Sequence, residues 1–149
     1  KQKLKRFYGI LDRQFQNYFK KAERQKGNTG ENLLAMLERR LDNVVYLLSF
    51  APSRKSARQL ILHGHILVND KKVDIGSYLV KMGDIVRPKS KEITQNIVKA
   101  NIELVKGRNI PAWIQSRADT LEGVVTQLPA REDISASAQE QLIVELCSK

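Results

Sequence analysis

The sequence predicts an α+β protein in which a helical domain, formed by the N- and C-terminal segments, holds an inserted α/β domain made of a helix pair on a small antiparallel sheet. Three observations support this class. Apolar residues recur at steps of three and four near both ends, they alternate around short turns in the middle, and Pro52 and Pro129 interrupt the patterns. We expect the helical domain to comprise residues 1–38 and 130–149 and the inserted domain to comprise 39–129.

The composition indicates a soluble protein with a polyanionic partner. The 149 residues are 42% apolar and 28% charged, and the net charge is +10. This charge is polarised, because residues 1–26 hold nine Lys and Arg against two acids, whereas 111–149 hold three against six. We therefore expect one basic face to meet nucleic acid. No apolar run approaches the roughly 20 residues of a membrane-spanning helix, so we expect no membrane span and no secretory signal.

Residues 1–26 predict one or two amphipathic helices with cations on the polar faces. Gly9 is expected to divide or weaken the helix, because glycine costs about 1 kcal/mol in a helix interior. The spacing of the aromatic residues favours a core over base-stacking platforms. The predicted apolar stripe comprises Leu4, Tyr8, Leu11, Phe15, Tyr18, Phe19 and Ala22.

A glycine-bounded turn at 26–30 separates these helices from the next pattern. Asn28 or Thr29 can cap the following helix, whose first backbone amides could also hold an RNA phosphate. The loop lacks the spacing of a nucleotide-binding phosphate loop. The apolar residues between 31 and 49 then predict one long amphipathic helix or two consecutive ones.

Arg39 and Arg40 interrupt this stripe and mark the expected start of the inserted domain. Pro52 ends the helical pattern, and Ser53 is expected to cap the next helix. Gly64 is expected to end that helix, because glycine is favoured just past a helix C-terminus. The inward face of this helix is predicted to comprise Ala57, Leu60 and Ile61.

Cations mark the polar side of the same helix. Arg54, Lys55 and Arg58 are expected to face outward at its start, where the backbone amides and the helix dipole also attract phosphate. Arg39 and Arg40 before it, and Lys71 and Lys72 in a following hairpin, would extend this patch. Such contacts favour folded RNA, since phosphate contacts give affinity without base identity.

The remaining pattern predicts further strands and helices. The hairpin turn is expected at Asn69-Asp70 and another turn at 81–84. A helix is expected over 92–104, ended by Gly107. The predicted strands cover 65–68, 71–74, 85–87, 112–115 and 123–128, and a last helix covers 137–147.

No catalytic, metal or cofactor site is predicted. His63 and His65 are two residues apart without a cysteine partner, so phosphate or base-edge contact, or simple surface placement, is favoured over metal ligation. The single cysteine, Cys147, excludes an internal disulfide, fits a reducing compartment and follows apolar residues that favour a packing role. A helix-turn-helix DNA reader is an alternative, but its cations would lie at the start of a short helix that leads directly into a hairpin.

An ordered series of motifs resembles the bacterial small-subunit ribosomal protein four family. The resemblance extends from Lys3 to Lys149, although the usual N-terminal segment, which sometimes carries zinc-binding cysteines, is missing. The inserted module also occurs in some tyrosyl-tRNA synthetases, pseudouridine synthases and heat-shock RNA binders, which lack the flanking helical segments. The motifs are Gly27-Asn28-Thr29-Gly30-Glu31-Asn32-Leu33-Leu34, Leu37-Glu38-Arg39-Arg40-Leu41-Asp42-Asn43-Val44-Val45-Tyr46, Ala57-Arg58-Gln59-Leu60, Ile66-Leu67-Val68-Asn69, Val73-Asp74-Ile75-Gly76-Ser77-Tyr78 and Gln141-Leu142-Ile143-Val144-Glu145-Leu146.

The resemblance implies a non-enzymatic, ribosome-bound cytoplasmic protein. It would bind small-subunit ribosomal RNA first, nucleate assembly of the subunit body, contribute to translational accuracy, contact small-subunit ribosomal protein five and in many bacteria repress its own messenger RNA. Alternatives are a stand-alone RNA binder or RNA chaperone and an RNA-modifying accessory fragment. The expected RNA-binding residues are Lys3, Lys5, Arg6, Arg13, Lys20, Lys21, Arg24, Lys26, Asn28, Thr29, Arg39, Arg40, Ser53, Arg54, Lys55, Arg58, His63, His65, Lys71 and Lys72.

Overall fold

Two units make up the part of the chain that the computed structural model describes, residues 8–117 and 119–129. The first contains residues 8–38 and Pro129, and the second contains Arg39–Leu128. The expected pairing of 1–38 with 130–149, the last helix at 137–147 and the packing role of Cys147 lie wholly or partly outside the described residues, so they stay predictions.

The first unit contains helices α1 (Asp12–Arg24) and α2 (Thr29–Glu38). Gly9 has a positive φ of 67° and separates Tyr8 from α1, as its position predicted. The predicted stripe is buried at Tyr8, Phe15, Tyr18 and Ala22. Leu11 is 75% exposed instead, because it is the N-cap of α1 and its extended backbone takes it out of the helical period.

Polar side chains fix the joint between α1 and α2. The Asn28 Oδ1 accepts a hydrogen bond from the Glu31 backbone amide at 3.1 Å, which is the predicted N-cap of α2. From within α2, the Asn32 amide donates to the carbonyls of Ala22 and Lys26, both at 3.3 Å. The buried Tyr8 hydroxyl donates to Glu38 Oε1 at 2.7 Å. The two helices therefore form a hydrogen-bonded pair around an apolar core.

The second unit begins with helices α3 (Leu41–Leu47) and α4 (Arg54–Leu62). The pattern at 31–49 therefore forms two helices. The break lies at Arg40, whose backbone is extended and forms a β-bridge with Leu79. Backbone hydrogen bonds from Val80 N to Arg39 O at 2.9 Å and from Leu41 N to Tyr78 O at 2.7 Å continue this pairing. The helical pattern is thus interrupted at Arg40, because residues 78–80 pair with residues 39–41 as a neighbouring strand would.

A short joint connects α3 to α4. Ser49 has a φ of 66°, and the bonds from Ser49 N to Tyr46 O and from Phe50 N to Val45 O form a Schellman motif that ends α3. Ser53 caps α4 as predicted, because its Oγ accepts a hydrogen bond from the Ser56 backbone amide at 3.0 Å. Gly64 follows α4 with a positive φ of 78°.

The sheet has five strands, which are β1 (Ile66–Val68), β2 (Lys71–Lys72), β3 (Ile85–Pro88), β4 (Ile114–Arg117) and β5 (Glu122–Val125). They lie in the order β2-β1-β3-β5-β4, and all neighbouring strands are antiparallel. The Asn69-Asp70 turn joins β1 to β2, and both residues have positive φ angles of 52° and 66°, as a two-residue type I′ hairpin requires. The last two strands differ by one to three residues at their ends from the predicted 112–115 and 123–128.

One core lies between α3, α4, the sheet and helix α5 (Glu92–Leu104). It contains the predicted inward residues of α4 and the fully buried Trp113. The bounds of α5 are as predicted, but its regular apolar stripe is not the buried face, because Ile93 and Leu104 are 71% and 72% exposed whereas Thr94 and Val98 are buried. The Asn101 amide donates to Phe50 O at 2.8 Å and so helps to fix the rotation of the helix.

Candidate nucleic-acid interface

The start of α4 presents the basic residues that the sequence singled out. Lys55 is exposed in the first turn, beside backbone amides that have no partner within the helix. Arg58 lies one turn further on, and its side chain is 39% exposed. The positive end of the helix dipole lies at the same place, so a phosphate near this turn would meet both amides and cations.

Arg54 is more enclosed than the prediction of an outward side chain implied. Its Nε donates a hydrogen bond to Asn43 Oδ1 at 2.8 Å, and its guanidinium carbon lies 4.4 Å from the centroid of the Tyr46 ring. A cation held over an aromatic face keeps its charge but loses rotational freedom. The guanidinium group of Arg54 is thus held in one position at the edge of α4.

Asp42 forms a buried charged centre beneath this surface. Arg40 donates to both of its oxygens, from Nε to Oδ1 at 3.1 Å and from Nη2 to Oδ2 at 3.0 Å. The Arg58 Nε lies 3.2 Å from Asp42 Oδ2, but this contact lacks the alignment of a hydrogen bond. Gly76 packs against the pair, and an added Cβ would lie 2.9 Å from Arg58 Cγ. These contacts fix the position at which the aliphatic part of the Arg58 side chain emerges from the core.

The structure corrects the predicted roles of Arg39 and Arg40. Arg40 is only 3% exposed, so it acts as a buried partner of Asp42 rather than as a surface cation. Arg39 is half-buried, and its Nε donates to the carbonyl of Val80 at 2.9 Å. Arg39 therefore ties the start of the unit to Val80, whereas Arg40 holds Asp42.

The hairpin brings Lys72 to the other end of α4. A Cβ on Gly64, which follows α4, would lie 3.2 Å from Lys72 Cδ and 3.7 Å from its Nζ. Lys71 is also exposed, but successive strand residues point to opposite faces, so it does not share the side of Lys72. We define the α4 face as the first turn of α4 together with Lys55, Arg58 and Lys72.

The two histidines differ in their surroundings. His63 is exposed just after α4, whereas His65 is half-buried, and its Nδ1 lies 2.7 Å from Thr94 Oγ1. Burial lowers the pKa of His65, and the charges of Lys89 and His63 lower it further. The neutral form of His65 is favoured, so this ring serves the contact with α5 better than it would serve a phosphate.

The first unit exposes a second group of predicted cations. Asn28 already uses its side chain to cap α2, and Thr29 is half-buried. Lys3, Lys5 and Arg6 lie outside the described residues. The exposed cations of this unit are Arg13, Lys20, Lys21, Arg24 and Lys26.

Arg108, which no pattern in the sequence singled out, fixes the joint before α4. Its Nη1 donates to Tyr46 O at 2.7 Å and its Nη2 donates to Pro52 O at 3.2 Å. Its guanidinium carbon also lies 4.2 Å from the centroid of the Tyr46 ring, which Arg54 contacts as well. Because Arg108 is 56 residues from Pro52, no local spacing could have revealed this role.

The arrangement favours binding of a polyanion through its backbone. Cations on a rigid helix start can neutralise phosphates without reading bases. Within residues 8–117 and 119–129, no group of three or more His, Cys, Asp and Glu side chains could hold a metal ion. In the same part of the chain, no helix has the length and apolar character that crossing a membrane requires.

Comparison with known proteins gives two adjoining family matches. The "Ribosomal protein S4/S9 N-terminal domain" matches residues 1–38, and the "S4 domain" matches residues 39–86. The chain is 56% identical over all 149 residues to the small ribosomal subunit protein uS4 of Thermoanaerobacter sp. (strain X514), which is 100% of this chain and 71% of that protein. The proteins of the same name from Thermodesulfovibrio yellowstonii and Lachnospira eligens are 51% and 52% identical over the whole chain, covering 72% and 76% of their lengths.

Proposed function

The chain belongs to the family of the small ribosomal subunit protein uS4, and we propose that it binds small-subunit ribosomal RNA as a structural component of the ribosome. The observation that carries this proposal is the α4 face, where the exposed Lys55 and the partly exposed Arg58 lie at the N-terminal end of a helix. Its role is structural rather than catalytic.

Binding begins with phosphates at the first turn of α4. Lys55 supplies a mobile charge, whereas Arg58 can offer the outer part of its guanidinium fork while its Nε stays near Asp42. Lys72 extends the charge to the far end of the helix. Arg40 contributes only through Asp42, and Arg39 contributes through the backbone that it holds.

The first unit supplies a second contact surface, to which its described residues contribute five exposed cations. In this proposal Lys3, Lys5 and Arg6 extend that surface, and residues 130–149 join 1–38 in one helical domain that carries the second unit as an insertion. Two separate basic surfaces favour a folded RNA junction over a linear sequence, because each surface can hold a different RNA helix.

Family membership supports a finer role, which we propose as well. The protein binds the RNA early, nucleates assembly of the subunit body and supports accurate decoding. It also contacts small-subunit ribosomal protein five, binds its own messenger RNA as a repressor and works in the cytoplasm. The net charge of +10 supports the RNA partners, since two polyanionic ligands can use the same cations.

The decisive experiment measures binding of the chain to a folded transcript of the small-subunit ribosomal RNA 5′ domain from a bacterial relative. Affinity should fall by about 10³-fold or more between 50 and 200 mM salt if roughly six or more phosphates are neutralised. Lys55→Ala should weaken binding and reduce the slope of log affinity against log salt by about one.

A matched control is Lys99→Ala, which removes an equally exposed charge on α5, outside the α4 face. This variant should change affinity and slope much less. Equal affinity for random duplex RNA, or equal losses from the two variants, would contradict the proposal. Reconstitution with naked ribosomal RNA separates a structural component from an RNA chaperone, since only the former stays in the purified particle.

A further inference from the structure

A cleft in the second unit lies outside the α4 face. It has a volume of about 230 Å³ and lies between the end of α3, the end of α5 and the turn that joins β4 to β5. Its apolar wall includes Leu48, Ile102, Val105, Ile110 and Leu121. Small-molecule sites occupy about 300–1,000 Å³, so this cleft suits a single ring or side chain.

The polar part of the cleft is entirely cationic or neutral. Among the described residues, Lys106, Arg108 and Arg117 line it, and no aspartate or glutamate does so. Lys106 is exposed, and the Arg117 side chain is 52% exposed with Glu122 at 3.7 Å. An apolar wall under a cationic rim suits a group that is flat or apolar and attached to an anion.

Unusual backbone conformations occur in the same walls. Ser49 and Leu121 have φ angles of 66° and 53°, which side chains other than glycine and asparagine rarely adopt. Among the described residues the other non-glycine positive φ angles, at Asn69 and Asp70, belong to the hairpin turn. Ser49 has this angle because it ends α3 in a Schellman motif, so Leu121 is the residue that adds backbone strain to the wall of the cleft.

The Tyr46 ring connects the cleft to the start of α4. Arg108 lines the cleft, and its guanidinium lies over the Tyr46 ring. Arg54 lies over the same ring from the first residue of α4. The Tyr46 ring thus contacts both a residue of the cleft and the first residue of α4, so the cleft adjoins the start of α4.

We propose that the cleft takes one unstacked base of the bound RNA, with Lys106 and Arg117 holding the phosphates beside it. The inference rests on the proposed function, because it adds a base contact to an RNA that is held elsewhere by its backbone. The cationic rim favours a nucleotide over an apolar side chain of a protein partner. A base inserted against apolar side chains stabilises binding, and loss of such contacts weakens it by roughly 5- to 100-fold.

The test fills the cleft. Val105→Trp, just after α5, places a large ring in it, and Ile93→Trp, at a 71% exposed position within α5, is the matched control. With the folded 5′-domain transcript, ultraviolet crosslinking mapped by mass spectrometry should show RNA attached to cleft residues in the unmodified chain. Val105→Trp should remove these crosslinks and lower affinity at least fivefold, while crosslinks at the α4 face persist in both variants.

A second variant tests the same point without enlarging a side chain. Lys106→Ala should weaken binding and lower the salt slope by about one. If Val105→Trp and Lys106→Ala bind as the control does, or if cleft residues crosslink only to a ribosomal protein in assembled particles, the inference is wrong while the proposed function stands. If the unmodified chain binds the folded RNA no better than random duplex RNA, the inference and the proposed function are both wrong.

Discussion

Asp42 is the residue on which the basic surface most depends. Its carboxylate is buried and meets Arg40 from the start of α3 and Arg58 from α4. Removing charges from water is costly, so a buried pair is maintained only when both partners stay in place. The residue therefore links the position of an exposed cation to the integrity of the core.

Asp42→Asn should destabilise the second unit strongly, because it leaves the buried Arg40 guanidinium without its counter-charge. We expect a loss of about 3 kcal/mol in the free energy of unfolding. The measurement is urea unfolding followed by the fluorescence of Trp113, the single tryptophan, which is fully buried in this unit.

Asp70→Asn is the control, because Asp70 pairs with Arg87 while its side chain is 75% exposed. Exposed pairs contribute at most about 1 kcal/mol, so this variant should change stability little. If the two substitutions lowered the free energy of unfolding equally, the buried pair would contribute no more to stability than the exposed pair.

At this scale the sequence predicts residues whose role is local. The Ser53 and Asn28 caps follow from their own neighbours and are confirmed. Arg40 was expected at the surface, since arginine is rarely buried unless it is paired. Its burial depends on Asp42 and on the strand-like segment around Leu79, and only the tertiary fold brings that segment to Arg40.

Among the elements, β5 shows how closely a strand and a helix end can approach. An added Cβ at Gly123 would lie 2.5 Å from both Cδ atoms of Leu48, which is itself buried after α3. Glycine is therefore required here for space rather than for an unusual φ angle. This approach keeps the end of α3 against the sheet.

Gly123→Ala should cost about 1–3 kcal/mol, because the new methyl group overpacks the contact. The Trp113 signal in urea unfolding measures the loss. In a Leu48→Ala background the added Cβ has room, so the cost of the second substitution should largely vanish, giving a coupling between the two sites. If Gly123→Ala lowers the free energy of unfolding as much in the Leu48→Ala background, the contact with Leu48 is not the source of the strain.

The sequence also predicts most of the elements, for physical reasons that differ among them. The bounds of α5 match because its period, start and end are all encoded locally. The face that α5 buries was not apparent, because Ile93 and Leu104 at the two ends of the helix are exposed and polar contacts from Thr94 and Asn101 help to set the rotation. Strand ends differed because register depends on partners along the sheet.

On the scale of the whole molecule, two cores share one chain. The first unit buries Phe15 to 2% exposure between its two helices, and the second buries Ile61 completely. Cores that share few residues can open separately, so local stability should follow the division at residues 38 and 39.

Native-state hydrogen exchange tests this division. Phe15→Ala should lower the protection of amides in α1 and α2 while leaving those of β3 and β5 largely unchanged, because a large-to-small change in a core costs about 3–5 kcal/mol locally. Ile61→Ala should have the converse effect. If either substitution lowered protection uniformly through the described residues, the two units would be one cooperative structure.

The contacts of Arg108 have a consequence for synthesis of the chain. The joint before α4 is built from carbonyls of Tyr46, Ala51 and Pro52, yet the side chain that binds them is 62, 57 and 56 residues away. Because translation proceeds from the N-terminus, α4 emerges from the ribosome well before its joint can be completed. The joint before α4 is thus completed only after α5 has been made, when most of the second unit exists.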